Sequence, residues 1–229
     1  QEDFNAVGFL RDDDRKELDT NFTKTFWLSS GAVEKVLAGA NYNRYTSQDD
    51  VLRSWELDAE VEVVFRSGWQ LEVERIDEYK LFEAEFRNDR TVVTGGWDGR
   101  DGRAVEVFAG SGVNFDSDLV LWGAEATWPL GRLRLAYSLT RLELDPDPEG
   151  DTTWIHVFES RYHFSPDLFL KLFVQTNSAI DKDNVQVLFV WRFKPPFGSF
   201  QLAYQRGTSA LGEQSDQGDT VFTKLAWVF

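Results

Sequence analysis

Apolar and polar residues alternate with a period of two along almost the whole chain, and helical spacing is sustained nowhere. In residues 54–66, Trp55, Leu57, Ala59, Val61, Val63 and Phe65 share one face, and Glu56, Asp58, Glu60, Glu62 and Arg66 share the other; Val64 is the one departure. Successive strand side chains point to opposite sides, so this pattern predicts a strand with one dry and one wet face. Val185, Val187, Phe189, Trp191 and Phe193 repeat it, though Leu188 and Val190 interrupt their wet side. Phe200, Leu202 and Tyr204, and Leu133, Leu135, Tyr137 and Leu139, do the same.

Turn-forming clusters divide these runs at 12–14, 30–31, 47–50, 67–68, 88–89, 99–102, 116–118, 129–131, 145–151, 165–167, 181–183, 195–196 and 207–218. Thirteen breaks predict about fourteen strands, with twelve or sixteen as the neighbouring even counts. No linker or second domain is visible, so residues 1–229 read as a single domain. The frame of Trp69, Leu71 and Val73 differs from that of Phe82, Ala84 and Phe86, which predicts a bulge or extra turn near 76–80.

A soluble sandwich and a membrane barrel both alternate in this way. Aromatic content separates them: 9 Trp, 6 Tyr and 19 Phe put bulky rings on nearly every dry face, more than one closed core can house. Trp55, Trp69, Trp128 and Tyr204 fall near strand ends, where amphipathic rings form girdles at membrane interfaces. The later breaks alternate between long polar loops (145–151, 207–218) and short turns (165–167, 195–196), a habit of outer-membrane barrels. The last strand carries Val221, Thr223, Leu225, Trp227 and Phe229 on one face. Leu225, Trp227 and the terminal Phe229 look like the ending that such barrels present to the barrel-assembly machinery. No apolar run approaches the length of a transmembrane helix. A sheet spanning a bilayer must instead close on itself to satisfy its backbone. The expected fold is therefore an all-β, transmembrane, antiparallel up-and-down β-barrel in the bacterial outer membrane. An even strand count places both termini on the periplasmic side. With no Met at position 1 and no leader, the chain reads as processed or as part of a longer one.

Residues 160–207 resemble the last hairpins of an uncharacterised outer-membrane family in which a carbohydrate-binding-like β-sandwich precedes a C-terminal barrel. The resemblance rests on Tyr162, Phe164, Ser165 and Pro166, on Phe173-Val174-Gln175, and on Trp191-Arg192-Phe193 through Pro196, with Ala6-Val7-Gly8-Phe9 near the start. It implies a barrel and its location, and no particular chemistry.

An outward dry face makes the wet face the lining. Glu56, Asp58, Glu60, Glu62, Glu72 and Glu74 then form an acidic arc, and Arg132, Arg134, Lys171, Arg192 and Lys194 a basic one. Two functions fit. One is a porin-like channel for small polar solutes; the other is a non-conducting structural or anchoring barrel, the membrane part of a larger protein or complex, with its lumen filled by charge pairs. Fourteen strands lie between filled eight-stranded barrels and open 16–18-stranded porins.

Enzyme chemistry is not expected. His156 alternates with Trp154 and Phe158 on the dry face, and His163 lies near a short turn. The absence of cysteine removes thiolate chemistry and disulfides. No cofactor or metal is expected; the acidic loops 145–151 and 181–183 read as solvated, with Ca²⁺ as the rarer alternative. With 39 acids against 24 bases, the net charge of −15 disfavours nucleic acid. The expected partners are the lipid bilayer and lipopolysaccharide, the assembly machinery, and a protein partner in a larger complex.

Overall fold

The computed structural model describes residues 14–147, 152–179, 182–207 and 218–228. Thirteen strands follow one another: β1 (Lys16–Trp27), β2 (Val33–Thr46), β3 (Leu52–Phe65), β4 (Trp69–Leu81), β5 (Glu85–Asp98), β6 (Ala104–Asn114), β7 (Ser117–Leu130), β8 (Leu133–Asp145), β9 (Thr153–Ser165), β10 (Leu168–Asn177), β11 (Lys182–Lys194), β12 (Gly198–Gly207) and β13 (Gly218–Trp227). Their order in the sheet is their order in sequence, an antiparallel up-and-down meander. Most are 10 to 14 residues long, enough to cross a bilayer when tilted. Among the described residues, β1 and β13 are not paired with each other. The expected strand ahead of 12–14, and Phe229, lie outside the described residues.

The chain divides into two compact units. The first takes in the described residues through Thr94, with Ala109–Val120 and Leu144–Pro146; the second takes in Gly95–Phe108, Leu121–Glu143 and the described residues from Asp147 onward.

The dry face has no apolar layer over it. Val61 is 49% exposed, Trp69 59% and Leu225 69%. Tyr79, Leu119 and Val190 are the only buried apolar side chains among the described residues. A soluble sandwich of this length would bury its alternating apolar faces in one core. A single sheet with a bare apolar face is what a barrel turned outward to lipid requires. Trp27, Trp97, Trp128 and Trp191 lie at or near the C-terminal ends of β1, β5, β7 and β11, Trp69 opens β4, and Trp227 closes β13. In the second unit Arg103 lies over both Trp97 and Trp128, with its guanidinium 2.5 Å from Asp101. Trp154, His156 and Tyr137 form a second group, in which the Tyr137 hydroxyl is 2.8 Å from His156 Nδ1.

Two sequence expectations are corrected here. No break occurs at 88–89, because Asn88 is a buried residue inside β5. Its amide donates to Glu78 (3.0 Å), and its carbonyl oxygen accepts the Phe115 N–H (2.8 Å). These partners hold extended an Asn-Asp pair that would otherwise favour a turn. The chain reverses instead at 82–84, where the Phe82 N–H donates to Ala84 O. Nor is there a bulge at 76–80: β3 and β4 pair in unbroken register from Ser54 opposite Lys80 to Val64 opposite Gln70. The turn does not change the frame either: Asn88, in the frame of Phe86, bonds Glu78 of the polar face, so Phe86 is an apolar residue on that polar face. The dry face of β4 also turns polar beyond Val73. There Arg75 bonds Asp77 (2.8 Å), Asp89 (3.1 Å) and Thr91 (3.0 Å).

Candidate functional site

In the first unit, register assembles the polar face from four strands. Glu60 stands opposite Glu74, Glu62 opposite Glu72, and Glu56 opposite Glu78. On the other side of β3, Asp58 faces Asn41 and Glu56 faces Asn43. The six acids expected from the sequence therefore share one face of adjacent strands. Glu78 extends the row, and so do Glu17 and Asp19 of β1, which accept hydrogen bonds from Asn43 (2.8 Å) and Asn41 (3.4 Å). Glu78 escaped the sequence reading because the supposed bulge at 76–80 ended the row at Glu74.

Two cations pair with acids at the edges of this face, and Arg90 of β5 lies near enough to Glu74 to attract it. Lys35 reaches Glu62 at 3.4 Å, and Lys80 reaches Glu78 at 2.5 Å. No cation among the described residues lies within ion-pair distance of Asp58 or Glu60. One carboxylate oxygen of Asp58 is buried without a hydrogen-bond partner. The Glu60 carboxylate folds over Gly39, where an added Cβ would fall 2.6 Å from Oε1, so the missing side chain makes room for it.

In the second unit the expected basic residues separate. Arg134 and Lys171 lie in one row, both opposite Arg161. Arg161, which shares the polar frame of Glu159 and His163 on β9, is not among the basic residues expected to line the lumen. Arg192 is next to this row, over the Phe169 ring. Arg132 sits in the turn after β7 and donates to the Phe164 carbonyl at 3.1 Å. Lys194 lies past a register shift in the β11–β12 pairing and stands over Trp227, so it does not continue the row from Arg192. Trp227 also contacts Phe193, and Leu225 pairs with Phe200, which places the expected terminal signal residues on the dry face of β13. The polar frame of β10 and β11 includes Phe169, Phe173, Leu188 and Val190, so it is less uniformly polar than that of β3 and β4.

His163 packs against Phe169 at 5.4 Å, and His156 belongs to the aromatic group on the dry face. No group of three or more His, Asp or Glu residues could hold a metal ion among the described residues. The loops 145–151 and 181–183 lie partly outside those residues.

Known proteins bear on the fold. No protein-family profile matches the chain, and no curated protein matches it. Among solved structures, the chain resembles the siderophore receptor PirA of Pseudomonas aeruginosa, with a TM-score of 0.56 at 14% identity, covering 87% of this chain and 43% of the receptor. The chain thus spans less than half the length of that receptor. The fold is that of an outer-membrane β-barrel.

Proposed function

We propose that the chain resides in the bacterial outer membrane as a porin-like barrel that lets small polar solutes cross. The observation that carries this reading is the acidic face of β3 and β4. Glu60 and Glu74 stand directly opposite each other, and among the described residues no cation is at ion-pair distance from Asp58 or Glu60. Like charges so placed repel unless water screens them. Asn184, Gln186, Ser199, Gln201 and Gln205 supply neutral polar groups in the wet frame of β11 and β12. The bilayer, lipopolysaccharide and the assembly machinery are the proposed partners, and no reaction is assigned.

The rival is a non-conducting barrel that anchors a larger protein or complex. It draws support from the Lys35–Glu62 and Lys80–Glu78 pairs and from Phe169, Phe173, Leu188 and Val190 in the polar frame. The resemblance of residues 160–207 to a family with a preceding sandwich module belongs with this alternative.

Planar-bilayer recording with the double variant Asp58→Asn, Glu60→Gln separates the two. An open pore loses cation preference while its stability stays nearly unchanged. In a plugged barrel the pairs that fill the lumen carry the stability, so Glu62→Gln with Glu78→Gln strands Lys35 and Lys80 and lowers the melting temperature markedly. Absence of wild-type conductance together with that destabilisation would replace the channel with the anchor.

A further inference from the structure

Three cations stand side by side across three strands of the second unit. Arg134 of β8 is opposite Arg161 of β9, and Arg161 is opposite Lys171 of β10. Directly opposite residues hold their Cβ atoms about 5 Å apart, and like charges so placed destabilise a sheet. Among the described residues, none of the three has a carboxylate within ion-pair distance. Arg75 and Arg103, by contrast, each hold a carboxylate at ion-pair distance.

The row opens on a cleft of about 330 Å³ whose wall also includes Glu125, Thr127 and Glu159. The two acids belong to the wall, yet they leave the cations unpaired, and the three bases outnumber them. Arg161 is also oriented: its guanidinium lies 5.7 Å from the centre of the Phe169 ring. Stacking holds the plane of a guanidinium and leaves its N–H edges free to meet oxygen in a paired fashion. Arg192 approaches the same ring at 6.0 Å and adds a fourth positive charge beside the row.

We propose that Arg134, Arg161 and Lys171 form a binding site for a small oxyanion of the phosphate class on the polar face of β8–β10. The anion replaces the missing carboxylates: Arg161 meets two of its oxygens, Arg134 and Lys171 flank it, and the Thr127 hydroxyl is a further donor on the wall. This deepens the channel reading, and it rests on that reading only in requiring the polar face to be open to water.

The test uses the full chain folded in detergent, titrated with inorganic phosphate at constant ionic strength, with chloride as the compensating anion. Calorimetry and thermal melting are read together. The wild type binds phosphate saturably and melts higher with it. The variants Arg161→Gln and Lys171→Gln bind about tenfold or more weakly, as expected for loss of a charge-assisted contact. Without phosphate, Arg161→Gln melts no lower than the wild type, because removing the middle charge relieves the repulsion. Lys24→Gln, which deletes one positive charge on the dry face of β1, leaves phosphate binding unchanged. Absence of saturable binding by the wild type, or equal binding by the wild type and the double variant Arg161→Gln, Lys171→Gln, overturns the site. Conductance without phosphate binding removes the site and leaves the channel; phosphate binding without conductance does the reverse.

Discussion

Val61→Arg, in the middle of the dry face of β3, is expected to destabilise the folded barrel by about 2–4 kcal/mol, as is Val187→Arg on β11. Both side chains lie among the apolar residues of their strands, and Val61 stands opposite Val73 on β4. A guanidinium there must leave water for hydrocarbon or drag water in with it. Gln186→Arg is the matched control, one residue away in sequence and on the opposite face, opposite Gln205. Its cost should be much smaller. Reversible unfolding in lipid vesicles measures all three. Equal destabilisation by the three changes would mean that the faces are assigned the wrong way round or that neither meets lipid.

Gly112→Val is expected to cost about 3 kcal/mol or more, the upper end for forcing atoms into occupied space. The backbone of β6 runs so close to β5 here that a Cβ on Gly112 would stand 1.9 Å from the Asp89 carbonyl oxygen and 2.6 Å from Arg90 Cα. The obstacle is backbone, which cannot rotate away as a side-chain tip can. The close approach coincides with the contacts that pin the turn after β6, where Phe115 and Asp116 adopt φ of 49° and 65°. Bulky residues rarely occupy that region. Phe115 is held there by the Asn88 carbonyl oxygen and by rings at 5.0 Å (Phe86) and 5.9 Å (Phe82). Gly95→Ala is the contrast, since a Cβ at Gly95 meets nothing within 4 Å. It should be neutral or slightly stabilising, because it restricts only the unfolded chain. Refolding yield and melting temperature report both; a fully stable Gly112→Val protein would show that β5 and β6 are farther apart.

The strands were legible in the sequence because alternation is a backbone property, and each side chain's face follows from counting by two. The reading of residues 54–66 corresponds to β3, and the acidic row on it stays together in the structure. What escaped depended on partners distant in sequence. Asn88 and Asp89 carry turn chemistry, and only the Glu78 carboxylate and the Phe115 N–H show why they remain extended. Expecting a frame change at 76–80, where β4 keeps its register with β3, then hid Glu78. Lys194 left the basic row because the β11–β12 register shifts just before it. Arg161 was readable by alternation, but its importance lies in register: only the pairing of β8, β9 and β10 sets it between Arg134 and Lys171.

The central claim is that the bare apolar face of this sheet meets lipid. Gel migration of the purified chain after folding into detergent or lipid vesicles, with and without heating, tests it most directly. The account predicts a β-rich, compact band that shifts on boiling. A folded, monodisperse monomer in buffer free of detergent and lipid would contradict it.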